Sequence, residues 1–343
     1  MQFCVVTCVY GVLLAFEAII LIFDFYPISP WNKNKLEKHM KKVLSISVGS
    51  PSRDHTTTVK FLGEEIEISR QGTNGDFKKA IELYKANDGK VDAFGVGGTE
   101  FYLQVGTRRY FFRDAKAIRK AIQISKVGDG NGIKSLMAQR ALDALEAHLQ
   151  KEGRTLKGMK ALKTNAVDRY GLAEAIVNAG CDVVFGDFMF TLGLPLPMSK
   201  LSTVRIVAAL LLPIVTQLPF IWFYPLGAEQ DKAPKNKWQK YYQEATLIAG
   251  DFMQIRQSMP DDLTGKIIVT NTTTAKNVEE LQKRGVHILV TTTPRLQGRS
   301  FGTNVMEATL LAMMDKPQAD VLPHDFVKLL DEIPMLPNIE ILN

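Results

Sequence analysis

The sequence has few of the residues that build disulfide frameworks and metal centres. Its 343 residues include three cysteines and five histidines. Cys4 and Cys8 lie in an apolar N-terminal stretch, and Cys181 stands far from both. That usage supports no disulfide scaffold and fits a reducing compartment. No CxxC pair or HExxH spacing occurs, which argues against a structural zinc site, and no metal is expected. A charged arm is also missing. The net charge of +6 is spread along the chain, with the densest basic run, Lys33 to Lys42, beside an apolar segment. No nucleic-acid-binding signature accompanies it, so nucleic acid is not an expected partner. Repeats of solenoid length are absent as well.

What is present is an ordinary globular composition, 46% hydrophobic and 23% charged. The length suffices for one large or two medium domains with ample core. The clearest signal lies near the C-terminus. Ile267-Ile268-Val269-Thr270-Asn271-Thr272-Thr273-Thr274 and Ile288-Leu289-Val290-Thr291-Thr292-Thr293-Pro294-Arg295 are apolar runs that stop in hydroxyls. The stretch 275–285 between them reads as a helix. A strand–helix–strand unit of this length implies parallel strands. Ligands of open parallel sheets bind outside the carboxyl ends of the strands, where both threonine clusters would sit.

The remainder repeats this rhythm. Strands are expected at 43–48, 57–62 and 65–69, with a tight turn at Gly63, and at 91–94; 101–105 and 109–112 form a hairpin. Helices are expected at 76–86, 114–124, from Gly132 to Leu149, at 169–179, 238–249 and 302–314, and near 325–330. The predicted fold class is α/β: two Rossmann-like domains with mostly parallel sheets, plus an apolar N-terminal segment. The expected divisions are 1–39, 40–153 and 154–343.

Phe3 to Phe23 has a single charge, Glu17, and is long enough to span a bilayer. The lysines that follow would keep the rest of the chain in the cytoplasm. The alternative is a true start at Met40, leaving 1–39 outside the functional protein. Either way the working part is expected to be cytoplasmic, anchored to the membrane in the first case. A second apolar stretch, Val204 to Leu226, contains Arg205, Gln217, Pro213, Pro219 and Pro225, which oppose a spanning helix. It reads as buried helix plus an apolar surface segment that can touch a membrane, with the core role favoured because of the prolines.

Four loops carry candidate chemistry. Gly49-Ser50-Pro51-Ser52-Arg53-Asp54-His55 follows the first strand. Ser50, Ser52 and Arg53 suit a hydroxylated or carboxylated substrate, while His55, with Asp54, could move a proton. Gly95-Val96-Gly97-Gly98 is a glycine loop without GxGxxG spacing. Gly128-Asp129-Gly130-Asn131-Gly132, with Lys134 in the next helical turn, looks like an anion cradle. The strongest set is Thr291, Thr292, Thr293, Arg295, Arg299, Gly302 and Asn304, completed by Asn271 and Thr272. Its hydroxyls, helix N-terminus and fork-shaped donors suit a phosphate or carboxylate.

Two resemblances attach to these residues. The run Val43–His55, Gly72-Thr73-Asn74-Gly75-Asp76, Asp92-Ala93-Phe94-Gly95 and Gly298–Ala308 is similar to bacterial, mainly cyanobacterial, proteins labelled quinate 5-dehydrogenase. That resemblance covers nearly everything after Met40. It implies an NAD(P)-dependent oxidoreductase acting on a small cyclic hydroxy acid of the quinate or shikimate kind, with NAD or NADP as cofactor. His55 and Asp54 would be catalytic, Ser50, Ser52 and Arg53 would hold substrate, and the threonine-rich loops with Gly130, Gly132 and Lys134 would hold cofactor. Arg299-Ser300-Phe301-Gly302 with Glu307-Ala308 resembles the Gly-Phe-Gly…Glu-Ala segment of GT-B glycosyltransferases. That likeness implies a nucleotide-sugar site with Glu307 on the ribose. A third reading is a non-catalytic ligand-binding α/β protein. A small-molecule partner is common to all three.

Overall fold

The computed structural model describes residues 40–219, 237–296, 299–333 and 335–343, apart from the side chains of Leu296 and Arg299. Lys41–Asn343 forms one compact unit. The N-terminal strands are β1 (Lys41–Ser47), β2 (His55–Phe61), β3 (Glu64–Gly72), β4 (Ala93–Gly97), the hairpin β5 (Tyr102–Val105) and β6 (Arg108–Phe111), and β7 (Lys126–Gly128). Five of them form a sheet in the order β2-β3-β1-β4-β7. It is parallel except where β2 meets β3. The β2–β3 turn has two residues, Leu62 (φ 48°) and Gly63 (φ 79°). Positive φ at both matches the right-handed twist of a tight hairpin. Helices α1 (Phe77–Asn87) and α2 (Ala115–Ala121) belong to this half. Asp76 starts α1 by accepting from the Lys79 amide at 2.9 Å.

The long helix α3 (Lys134–Lys151) leads to the second sheet. Its strands are β8 (Lys160–Lys163), β9 (Asp182–Phe185), β10 (Leu247–Ala249), β11 (Ile267–Thr270) and β12 (Ile288–Thr291); β13 (Arg295–Leu296) and β14 (Arg299–Ser300) form a separate ladder, and β15 (Asn338–Ile341) comes last. The order is β15-β12-β11-β10-β8-β9, parallel except for β15 on β12. Between them run α4 (Tyr170–Asn178), α5 (Leu201–Val215), α6 (Gln239–Glu244), α7 (Phe252–Ser258), α8 (Ala275–Lys283), α9 (Thr303–Met313) and α10 (Pro323–Glu332). The mixed α/β class with mainly parallel sheets is thus observed.

Three differences from expectation have physical causes. The predicted helix at 238–249 stops at Glu244, and Leu247-Ile248-Ala249 enters the sheet, each residue fully buried between β8 and β11. A continuous apolar triplet fits a two-sided parallel strand. The C-terminal strand β15 closes the sheet edge in antiparallel register. Helix α9 packs on β4, β1 and β7 of the first sheet, so the chain returns to its N-terminal half. Glycines make that approach possible. A Cβ at Gly128 would lie 2.9 Å from the Ala308 amide nitrogen, and one at Gly95 would lie 3.1 Å from Asn304 Nδ2.

The core follows these layers. Val43, Ile66, Ile68 and Ala93 of the first sheet meet Val305, Met306, Leu310 and Phe326. The outer face of the second sheet meets Tyr242, Phe252, Ile255 and Leu281. Helix α5 buries Val204, Ala208 and Leu212, one residue per turn, and exposes Ile206, Leu210 and Ile214 on the opposite side. No helix of the described residues is long and apolar enough to cross a membrane. The Phe3–Phe23 reading, and the part of the second apolar stretch beyond Pro219, lie outside the described residues.

Candidate functional site

The carboxyl ends of strands from both sheets open on one cleft with a cavity of about 290 Å³. Its walls come from the loops after β1 (Gly49, Arg53), β4 (Gly98, Thr99, Glu100), β7 (Asp129), β8 (Asp168, Arg169), β10 (Asp251, Gln254) and β11 (Asn271 to Thr274), and from the start of α9 (Gly302 to Val305). This is where the strand-end rule places a ligand. Arg53 reaches from the first half to Met253 Sδ of the second at 3.7 Å.

One wall is a charged network. Lys134 Nζ donates to Glu100 Oε1 in a close ion pair. Asp129 accepts from the Phe101 amide at 2.8 Å and from Asn131 Nδ2 at 2.7 Å. Arg169 donates to Asp251 Oδ2 at 3.1 Å and stands 3.6 Å from Asp168 Oδ2. Asp251 also caps α7, accepting from the Met253 amide at 2.9 Å, and takes Asn271 Nδ2 at 2.9 Å. Burial pushes the Glu100 carboxyl up to about 7, with Asp168 and Asp129 adding to the rise and Lys134 opposing it. Behind this wall, fully buried Lys163 donates to the Asn165 carbonyl, and burial pulls its amine down to about 8 against Asp187 and Asp168.

Three oxygens of lining residues are withdrawn from solvent and have no hydrogen-bond partner among the described residues: Glu100 Oε2, Gln254 Oε1 and Thr273 Oγ1. Unpaired buried polar atoms are costly, and at the wall of a cavity they are where a polar ligand would bond.

The sequence-predicted site residues divide sharply. Arg53, His55, Lys134, Asn271, Thr272, Gly302 and Asn304 line the cleft. Asn304 Nδ2 donates to Ser45 Oγ at 3.1 Å, tying α9 to β1. The others are engaged elsewhere. Asp54 does not orient His55: it accepts from Arg70 at 2.5 Å and from the Gly72 amide at 2.8 Å. The His55 ring turns Nδ1 to the Arg53 carbonyl at 3.0 Å and lies 5.5 Å from the Phe301 ring. Ser50 is half-buried and Ser52 exposed, and their hydroxyls bond each other at 2.8 Å. Thr291 Oγ1 donates to the Thr293 carbonyl and Thr293 Oγ1 to the Asn271 carbonyl, so both are consumed in the loop. Thr292 faces a separate cavity of about 40 Å³. Arg295 holds the Glu340 carboxylate of β15, 2.6 Å from each oxygen. The Arg299 side chain, like Gln297 and Gly298, lies outside the described residues.

The glycine cradle is already filled by a carboxyl group of this chain. Glu307 accepts from the Gly130 amide at 2.5 Å and from the Gly132 amide at 3.2 Å. Loop and helix are thereby closed to a cofactor phosphate, and Glu307 is unavailable to a ribose.

The residues that sequence reasoning passed over are Glu100, Asp129, Asp168, Arg169, Asp251 and Gln254. Each of the five charged ones follows a parallel strand within a few residues. Applying the strand-end rule to every strand, instead of only the threonine-tipped ones, would have found them.

The chain belongs to the family whose model, described as a domain of unknown function (DUF8754), matches residues 132–342, more than half of its length. A second domain of unknown function (DUF8753) matches residues 42–129. No curated protein matches the sequence. Among solved structures, it is similar to a galactofuranose binding protein at 12% identity and a TM-score of 0.36, over 88% of this chain and 95% of that one. A carbohydrate transporter solute binding protein from Agrobacterium Radiobacter, in complex with D-arabinose, gives 12%, 0.36, 88% and 95%. GanP, a glucose-galactose binding protein from Geobacillus stearothermophilus, gives 11%, 0.38, 89% and 98%. Likeness this distant transfers no ligand.

Several expectations are corrected by these findings. The quinate 5-dehydrogenase resemblance is not upheld: the family models that match the chain are two domains of unknown function. The oxidoreductase and its NAD or NADP fall with it. The glycosyltransferase reading falls too, since Glu307 is committed to Gly130 and Gly132. The cytoplasmic placement, expected with or without the Phe3–Phe23 anchor, is withdrawn; no helix of the described residues is long and apolar enough to cross a membrane.

Proposed function

We propose that this protein binds one small, hydroxyl-rich molecule of the sugar class in the cleft and does not transform it. The observation that carries this reading is the set of unpartnered oxygens on Glu100, Gln254 and Thr273 at a cavity of about 290 Å³. Its volume is at the small end of the roughly 300–1,000 Å³ typical of ligand pockets. Lining acids (Glu100, Asp129, Asp168, Asp251) and lining cations (Arg53, Arg70, Lys134, Arg169) are equal in number. That balance suits an uncharged skeleton better than a dinucleotide with its two or more negative charges. Planar acceptors and donors side by side match hydroxyls, which both give and take hydrogen bonds.

The test is a thermal-shift and calorimetric panel of neutral pentoses and hexoses against NADP and a nucleotide-sugar. A ligand that binds only the folded state raises the melting temperature in proportion to the logarithm of its concentration. At least one sugar should do so saturably, and NADP should not. A shift with NADP and none with any sugar would overturn the reading.

A further inference from the structure

We propose that the outward face of α5 rests on an anionic lipid surface. This helix turns Ile206, Leu210 and Ile214 to solvent, at 62%, 68% and 65% exposure, while Val204, Ala208 and Leu212 enter the core. A spacing of four places the exposed three in one row along the helix. The loop leading into α5 exposes Leu192, Leu194 and Leu196 as well. Single exposed leucines are ordinary, but a contiguous apolar surface marks a place of contact.

The row has a basic border. The β5–β6 hairpin runs along α5: a Cβ at Gly106 would lie 3.9 Å from Arg205 Nε. At the other end the Arg113 amide donates to the Thr216 carbonyl at 3.0 Å, and Gln217 Nε2 donates to the Phe111 carbonyl at 3.4 Å. The hairpin contributes Phe111, 45% exposed, with exposed Arg108, Arg109 and Arg113; Lys200 and Arg205 are exposed beside and on the helix. Positions 105–113 and 196–217 hold these five cations and no acid. Two acids from neighbouring positions pair with them: Glu174 is 2.9 Å from Arg205, and Asp114 is 3.5 Å from Arg113. The surface keeps a positive margin.

An apolar row bordered by cations suits a helix lying in the plane of a membrane interface. The aliphatic side chains enter the acyl boundary and the cations meet lipid phosphates. A second copy of the chain fits poorly, because a two-fold interface lays a patch on itself and would oppose these cations. Spanning is excluded for α5, whose 15 residues rise only about 22 Å and whose other side is core. The sequence after Pro219 runs Phe220-Ile221-Trp222-Phe223-Tyr224, and aromatic residues of this kind concentrate where bilayers meet water.

The experiment reads the face locally on the full chain. With the native cysteines replaced by serine, an environment-sensitive fluorophore is placed at Leu210→Cys or, as a control on another element, at Leu322→Cys, which is 52% exposed in the native chain. Vesicles of phosphatidylcholine mixed equally with phosphatidylglycerol should shift the Leu210 label to the blue and leave the Leu322 label unchanged. Half-saturation should need roughly ten times less lipid than with phosphatidylcholine alone, a modest return for several cations near an anionic surface. Adding Arg108→Glu and Lys200→Glu, both at exposed positions, should erase that preference while the melting temperature holds. A Leu210 label indifferent to both vesicles, or two labels that respond alike, would overturn the proposal. So would a blue shift that grows with protein concentration in the absence of lipid, which would assign the face to a second copy. A preference for the anionic vesicles that survives both charge reversals would also overturn it, by removing the basic border from the contact.

Discussion

Glu307 closes its carboxylate on the Gly130 amide at 2.5 Å across 177 positions of sequence, and so ties α9 to the loop after β7. The glycine beside it leaves room for this contact. A Cβ at Gly132 would lie 2.4 Å from Glu307 Oε1 and 3.2 Å from the Phe326 ring. Gly132→Ala should therefore destabilise the chain by about 1–3 kcal/mol, the usual cost of overpacking a filled site. Urea denaturation measures it, and an unchanged midpoint would deny the contact.

The same carboxylate sets a pH dependence. Burial, with Asp129 nearby, pushes Glu307 from its ordinary 4.5 up to about 8. A raised folded-state value means that the protonated form is the one the fold prefers. Its stabilising contribution is full below pH 4.5 and is lost as pH rises through about 8. The melting temperature should fall over that window. Glu307→Gln, which cannot ionise, should flatten the profile; a variant with the native slope would refute the assignment. Glu100 acts in the same direction, so the difference between native and variant is the quantity to read.

Arg169 joins Asp168 to Asp251 inside the cleft. Arg169→Met leaves both carboxylates without that cation and should cost about 1–3 kcal/mol. It should also weaken any sugar that binds. Equilibrium unfolding and calorimetry on one preparation check both effects. A stability loss with unaltered affinity would exclude Arg169 from the binding wall.

Helix α5 offers an internal control. Leu212 is 6% exposed and Leu210 68%. Leu212→Ala should cost about 2–5 kcal/mol through lost burial and a cavity. Leu210→Lys should change stability by no more than about 0.5 kcal/mol. Thermal melts of the two variants decide it, and equal losses would mean that the exposed stripe is covered.

Much of the fold was legible because parallel strands announce themselves as apolar triplets and quadruplets with polar stops. Ile267–Thr270 and Ile288–Thr291 pair in parallel, as their pattern implies. Leu247–Ala249 was hidden because three residues carry no period, and the adjoining Gln239–Glu244 turn extended the helical pattern into it. The return of α9 to the first sheet was invisible for another reason. Nothing local distinguishes a helix that packs on its own sheet from one that packs on a distant sheet. At the site, the sequence showed residues by their side-chain chemistry and could not show their partners. Arg295 has the donors an anion needs, and Glu340 already fills them. Gly130 and Gly132 form a cradle of amides that the Glu307 carboxyl already fills. Glu100 looked like the tail of a glycine loop, and only its proximity to Lys134 and Asp168 gives it a role.

Amide hydrogen exchange with and without a saturating sugar tests the central claim most directly, because the cleft is built from the carboxyl ends of two separate sheets. The account predicts that binding protects 97–101 and 129–132 beside the first sheet together with 250–254 and 271–274 beside the second. Protection confined to one sheet, or centred on the Ser50–Ser52 loop, would contradict it.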